Sequence, residues 1–144
     1  MWSRCVGRAQ RAILSAMSGD IRYYTRDVID HFRKPRNQRS IEAPDAEGRA
    51  INRACSDVVR VQIKVEDGKL KDVAFKAQGC VACVAAASMT TILAMGRPLD
   101  DAELSREEVA EALGGLPESK MDCSVIAPNA LAYAVQQYLS SAAS

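Results

Sequence analysis

Three cysteines carry the chemistry this sequence could do. Cys55 stands in Ala54-Cys55-Ser56-Asp57, Cys80 in Gly79-Cys80-Val81, and Cys123 in Asp122-Cys123-Ser124. Each falls at a junction between expected elements, where residues distant in sequence can meet at one rim of a sheet. A cysteine opening a helix also faces the positive end of the helix dipole, which favours its thiolate. Thiolates are the soft donors that zinc and iron–sulfur clusters take, and a neighbouring carboxylate adds a harder oxygen donor. A single cysteine is more simply read as a small buried hydrophobe. The flanking Asp57 and Asp122 fit that reading poorly, so Cys55, Cys80 and Cys123 form the candidate set, with Asp122 as an additional candidate ligand.

The other cysteines read differently. Cys80-Val81-Ala82-Cys83 is a C-x-x-C, but the βαβ context of a thioredoxin-like motif is missing, and a zinc ribbon needs a second such pair. Cys83 reads as a helix residue buried against the sheet, with an auxiliary thiol as the alternative. Cys5 belongs to the N-terminal extension. His31 is the only histidine and lies in a helix beside its apolar stripe. A structural role suits it, and Ser–His or Cys–His hydrolase chemistry finds no histidine next to a nucleophile.

These residues are expected to be positioned as follows. Thr25 caps a helix running to about residue 34, with Tyr24, Val28 and Phe32 as its stripe and Pro35 ending it. A short strand fits residues 49–54. Residues 58–65 alternate, with Val59, Val61, Ile63 and Val65 facing one way. Asp67-Gly68 signals a hairpin, and the return strand over residues 70–77 turns Val73, Phe75 and Ala77 inward. Residues 80–95 form an apolar, small-residue helix closed by Gly96 and Pro98. Ser105 caps a short acidic helix through Leu113, with Glu108 at the capping-box position. Cys123 lies in a loop, and Pro128 marks the first turn of a last helix carrying Leu131, Val135 and Leu139. The order predicts an α+β fold: a small antiparallel sheet of about three strands, helices on one face, and a metal site at one end.

Composition narrows the function classes. The chain has 144 residues, is 48% hydrophobic and 26% charged, and has no apolar run long enough to span a membrane. Its net charge is +1, with nine Arg/Lys against three Asp in residues 1–40. The basic residues are not interleaved with aromatics beyond that head, so neither nucleic acid nor membrane is an expected partner. Five scattered cysteines do not make a disulfide framework, and a reducing compartment is expected. Residues 1–20 read as an N-terminal extension, disordered or transit-like, and residues 21–144 as one domain. In the extension Trp2, Val6, Ala9, Ile13 and Met17 share one helical face, opposite Arg4, Arg8 and Arg11. That pattern suits a mitochondrial transit segment. The simpler reading is a stray extension ahead of a start at Met17. The expected compartment is the bacterial cytoplasm, with the mitochondrial matrix as the alternative.

The chain resembles the IscU/NifU-type iron–sulfur cluster scaffold family from about Tyr24 to Tyr138. Val28-Ile29-Asp30-His31-Phe32 followed by Pro35-Arg36-Asn37 is similar to the family's opening. Cys55-Ser56-Asp57 resembles its Cys-Gly-Asp motif, and Phe75 through Gly79-Cys80 into Ala85-Ala86-Ala87-Ser88 its second motif. Leu113-Gly114-Gly115-Leu116-Pro117 and Cys123-Ser124 resemble its third. The cysteine separations of 25 and 43 residues suit the IscU type and leave no room for the insertion of the zinc-dependent SufU branch. The resemblance implies a scaffold, not an enzyme, that holds a transient 2Fe–2S cluster on Cys55, Asp57, Cys80 and Cys123. It implies Asp57 as the residue keeping the cluster labile and Cys123 as the acceptor of persulfide sulfur. It implies a cysteine desulfurase, a frataxin-like protein, a ferredoxin and apo iron–sulfur acceptors as partners, iron as cargo, and zinc in a resting form. The alternative is a zinc-dependent persulfide acceptor in sulfur transfer. Three departures stand out: Ser56 replaces the motif glycine, Asp122 replaces the histidine before the last cysteine, and Leu116-Pro117-Glu118-Ser119-Lys120 differs from the Leu-Pro-Pro-Val-Lys stretch. Recognition by a dedicated heat-shock chaperone is therefore not implied.

Overall fold

The computed structural model describes residues 24–53 and 56–143. The N-terminal extension with Cys5, and also Cys55, lie outside the described residues. Among the described residues, four α-helices and three strands are arranged as α1 Arg26–Arg33, β1 Ala46–Asn52, β2 Asp57–Glu66, β3 Lys69–Gln78, α2 Val81–Ala94, α3 Arg106–Ala112 and α4 Ile126–Ala143. Short 3₁₀ turns at Leu99–Asp101 and Glu118–Ser124 precede α3 and α4. The sheet is antiparallel in the order β1-β2-β3, as the alternation and the hairpin signal predict. Asp67 and Gly68 both have positive φ (55° and 72°), the conformation of a two-residue hairpin turn that follows the sheet's twist.

Inward pairs Val59–Ala77, Val61–Phe75 and Ile63–Val73 carry the sheet's buried face. Val65 does not continue that stripe as its sequence position suggests. A bulge between Lys64 and Val65 shifts the register and leaves Val65 half-buried. The first strand also departs from expectation, running over Ala46–Asn52 rather than 49–54. Its inward positions Ala46, Gly48 and Ala50 are too small to signal a strand by hydrophobic alternation. They are small because α4 crosses there: a Cβ on Gly48 would lie 2.0 Å from the Ala130 carbonyl oxygen and 2.5 Å from the Ala134 nitrogen.

Helix α2 is the centre of the helical layer. Eleven of its fourteen residues are buried, Cys83 among them, and the helix touches α1, β3, α3 and α4. A helix apolar on nearly every side belongs in the core. Sheet edges are closed by local bonds. The Phe75 N–H donates to Asn37 O at 2.9 Å, the Arg39 N–H donates to Phe75 O at 3.1 Å, and the Leu70 N–H donates to Arg97 O at 2.8 Å along the free side of β3. On β1, the Glu47 N–H donates to Gln137 Oε1 of α4 at 2.8 Å.

Helix α1 is capped as predicted. Thr25 Oγ1 accepts from the Val28 N–H at 3.1 Å, and its hydroxyl donates to the Leu113 carbonyl. His31, from the same helix, is buried and structural. Its Nδ1 meets Ser88 Oγ of α2 at 2.7 Å, while the Arg36 N–H donates to the same oxygen at 2.8 Å. With one lone pair already taken, the Ser88 hydroxyl is arranged to donate to a neutral imidazole. Burial, reinforced by the positive Arg36, pushes the His31 pKa below its ordinary value. The sign follows directly. Unfolding below about pH 6.5 takes up a proton that the folded state resists, so stability is complete above the unfolded pKa and falls as pH drops through the folded one. We expect urea midpoints to fall between about pH 6.5 and pH 5 in the wild type and to fall less in His31→Gln. Parallel pH profiles for the two proteins would contradict this role.

Candidate metal centre

Antiparallel pairing brings the start of β2 beside the end of β3, and that is where the site forms. Val58 pairs with Gln78, so Asp57 and Gly79 lie opposite each other at the sheet's end. Gly79 makes room for the carboxylate: a Cβ there would lie 2.4 Å from Asp57 Oδ1 and 2.8 Å from its Cγ. Through that gap the Cys80 N–H donates to Asp57 Oδ1 at 3.1 Å. Cys80 itself is the N-cap of α2, its extended backbone ending β3 and its carbonyl accepting from the Val84 N–H. Cys123 arrives from the opposite side on the 3₁₀ turn Glu118–Ser124, in a stretch expected to be loop; Pro117 with extended backbone leads into that turn.

The sulfur atoms of Cys80 and Cys123 are 3.6 Å apart, and Cys80 Sγ is 3.8 Å from Asp57 Oδ2. Donor atoms of all three residues lie within 4.8 Å of one another. Ligands bound tetrahedrally at about 2.0–2.3 Å are separated by roughly 3.5–4 Å. The two separations from Cys80 match that spacing, and the third pair of donors lies within 4.8 Å. Two soft sulfurs and one hard oxygen suit zinc or iron and would be a poor site for calcium or magnesium.

Electrostatics prepare the donors unequally. The Cys123 thiol beside Cys80 lowers the Cys80 pKa to about 7 despite burial, so Cys80 is poised to ionise near neutral pH. Asp57 is wholly buried, and burial raises its pKa above the usual carboxylate value even though the Cys80 N–H and both thiols oppose the shift. The charge of Lys120 favours the anionic forms of both residues.

Sequence reasoning named Asp57, Cys80 and Cys123, and the structure brings these three together. It does not bring Asp122 to them. That side chain is 84% exposed and turns outward to Arg106 Nη1 at 3.1 Å. Cys55 lies outside the described residues, but its neighbour Ser56 has φ 57°, the left-handed conformation that glycine takes at least cost. Ser56 thus holds, with a Cβ, a conformation in which a glycine would be less strained. Gly79, Lys120 and Arg106 were not singled out as parts of the site. A glycine directly before a ligand cysteine and a lysine three residues before another were the available signals.

This arrangement defines a class: a small α+β protein with a mixed thiolate–carboxylate centre at one end of its sheet. A profile of the NifU-like N terminal domain matches residues 23–144, and the chain belongs to that family. It is 43% identical over 116 residues to the iron-sulfur cluster assembly scaffold protein IscU 1 of Archaeoglobus fulgidus, covering 80% of this chain and 76% of that one. To the scaffold protein IscU of Escherichia coli it is 38% identical over 122 residues, covering 81% of this chain and 94% of the other. The N-terminal part of a NifU-like protein from Brucella abortus shares the fold with a TM-score of 0.68 at 17% identity, over 83% of this chain and 96% of that structure. Among the described residues no helix is long and apolar enough to cross a membrane.

Proposed function

We propose that the protein is a scaffold on which iron–sulfur clusters are assembled and from which they are handed to acceptor proteins. The convergence of Asp57, Cys80 and Cys123 on one metal-sized space carries this reading. Relatives named as iron–sulfur cluster assembly scaffolds support it. The cluster is cargo, and the transient form is 2Fe–2S. Cys80 and Cys123 supply thiolates and Asp57 the exchangeable oxygen donor. Cys55, two residues before Asp57 on the chain, is the remaining thiolate.

Each residue has a physical task. The lowered pKa of Cys80 provides a thiolate near neutral pH without a general base. Asp57 holds iron through oxygen, a weaker partner for this metal–sulfur chemistry than a thiolate, so its bond is the first to yield to an incoming acceptor. Cys123 accepts the persulfide sulfur delivered by a cysteine desulfurase. Lys120 offsets the negative charge that collects as thiolates and carboxylate ionise together. None of these steps turns over a substrate, and the protein acts as a carrier. A frataxin-like protein and a ferredoxin are the expected assistants in assembly.

Incubation with a cysteine desulfurase and free cysteine tests the sulfur route. Mass spectrometry is expected to find one added sulfur on the peptide holding Cys123, and none in Cys123→Ser. Sulfur accumulating on Cys80 while Cys123 stays unmodified would overturn the assignment. A second reading shares the same geometry: the three-donor space also fits a tetrahedral zinc ion, with the protein passing persulfide sulfur and carrying no cluster. Zinc bound so tightly that iron and sulfide cannot replace it would favour that reading.

A further inference from the structure

Cys123 must meet sulfur brought by another protein, yet it is only 2% exposed. Something must let it out, and the residues on either side of it point to what holds it in. Asp122 pairs with the Arg106 guanidinium, Nη1 to Oδ1 at 3.1 Å. On the other side, the Ser124 hydroxyl donates to the Met121 carbonyl at 2.5 Å within the turn and lies 3.5 Å from the Arg106 carbonyl oxygen. One residue at the start of α3 thus pairs with one neighbour of Cys123 and approaches the other, while its Nε faces Glu107 Oε1 at 3.6 Å. The 3₁₀ turn carrying Cys123 otherwise rests on α2, α3 and α4. The grip is a weak one by design of its position, because Arg106 and Asp122 are 47% and 84% exposed and water competes for both.

We propose that Arg106 is a positioning residue, and that its ion pair with Asp122 is the releasable latch of a gate over Cys123. Closed, the latch holds the Cys123 sulfur 3.6 Å from Cys80, where a metal can bridge them. Open, the turn over Glu118–Ser124 swings from α3 and presents the sulfur to a donor. A partner placing an acidic group near Arg106, or a basic one near Asp122, would open it by competing for one half of the pair. Only the purpose of the motion rests on the scaffold reading; the motion itself needs neither cluster nor desulfurase.

Alkylation of the metal-free protein by iodoacetamide tests it. Tryptic cleavage after Lys120 leaves Cys123 as the only cysteine of its peptide, and a small free thiol added to the same reaction serves as the reference. An exposed pair of this kind should slow Cys123 labelling about three- to fivefold. Arg106→Gln and Asp122→Asn should therefore both speed Cys123 labelling relative to the added thiol by that factor. The shared direction is decisive. A purely electrostatic influence on the thiolate would make the first variant slower, through loss of a positive charge, and the second faster. The double variant Arg106→Asp/Asp122→Arg should restore the wild-type rate, and raising salt should speed the wild type but neither single variant. Asp122→Asn alters a side chain that lies in water, so its result does not depend on refolding. Opposite signs in the two single variants, or no change in either, would overturn the latch. A failed cluster assembly with an intact labelling pattern would instead count against the scaffold reading alone.

Discussion

Asp57→Ala should hold a reconstituted cluster longer than the wild type and deliver it about tenfold more slowly, the effect of roughly 1.4 kcal/mol on the barrier. The reason lies in how this carboxylate is kept. It is wholly buried, it accepts from the Cys80 N–H at 3.1 Å, and burial holds its pKa above the ordinary value. A carboxylate in that setting gains by taking up a proton, and once protonated it is a poor ligand. On the proposed scaffold function it is then the ligand that leaves first, next to thiolates that stay. Its departure opens one iron to an acceptor's thiol. With alanine there, that exit is lost, and transfer must wait for a thiolate to dissociate. The rate of transfer to an apo-ferredoxin measures this. An unchanged or faster rate in the variant would show that Asp57 does not govern release.

Gly48→Ala is expected to cost about 3 kcal/mol or more, the upper end of what overpacking costs. The new Cβ would sit 2.0 Å from the Ala130 carbonyl oxygen, 2.5 Å from the Ala134 nitrogen and 3.0 Å from the Tyr133 Cβ. Two of these are backbone atoms of α4, so no side-chain rotation relieves the contact and the helix must retreat. Leu131, Ala130 and Ala134 are fully buried on that helix, and all would lose packing. Against a total stability of about 5–15 kcal/mol, the loss leaves a marginal protein. Thermal unfolding should shift by about 10 °C or more. A shift within a degree or two would mean that α4 stands farther from β1 than the structure has it.

Much of the fold was legible because its signals are local. The alternation of Val59, Val61 and Ile63, the Asp67-Gly68 turn, and the caps at Thr25 and Ser105 each state their geometry within a few residues. The start of β1 was not legible, because its inward side chains are dictated by a helix about eighty residues away. Long-range packing removed the very alternation that would have marked the strand. At the site the donor types and their places at element ends singled out Cys80 and Cys123, and the family resemblance added Asp57. The direction of Asp122 could not be read, since a charge beside a ligand looks the same facing in or out. Only its partner, Arg106, decides it, and that residue is far away in sequence. Gly79 was similarly silent: its role is the space it leaves for a carboxylate on the neighbouring strand.

The most direct test of the central claim is anaerobic reconstitution with ferrous iron and sulfide after chelation of all metal, read by visible absorption and by iron and sulfide analysis. The wild type should show sulfide-to-iron charge-transfer bands and equal iron and sulfide, both lost in Cys80→Ser. A colourless protein that retains stoichiometric zinc and takes up no sulfide would contradict it.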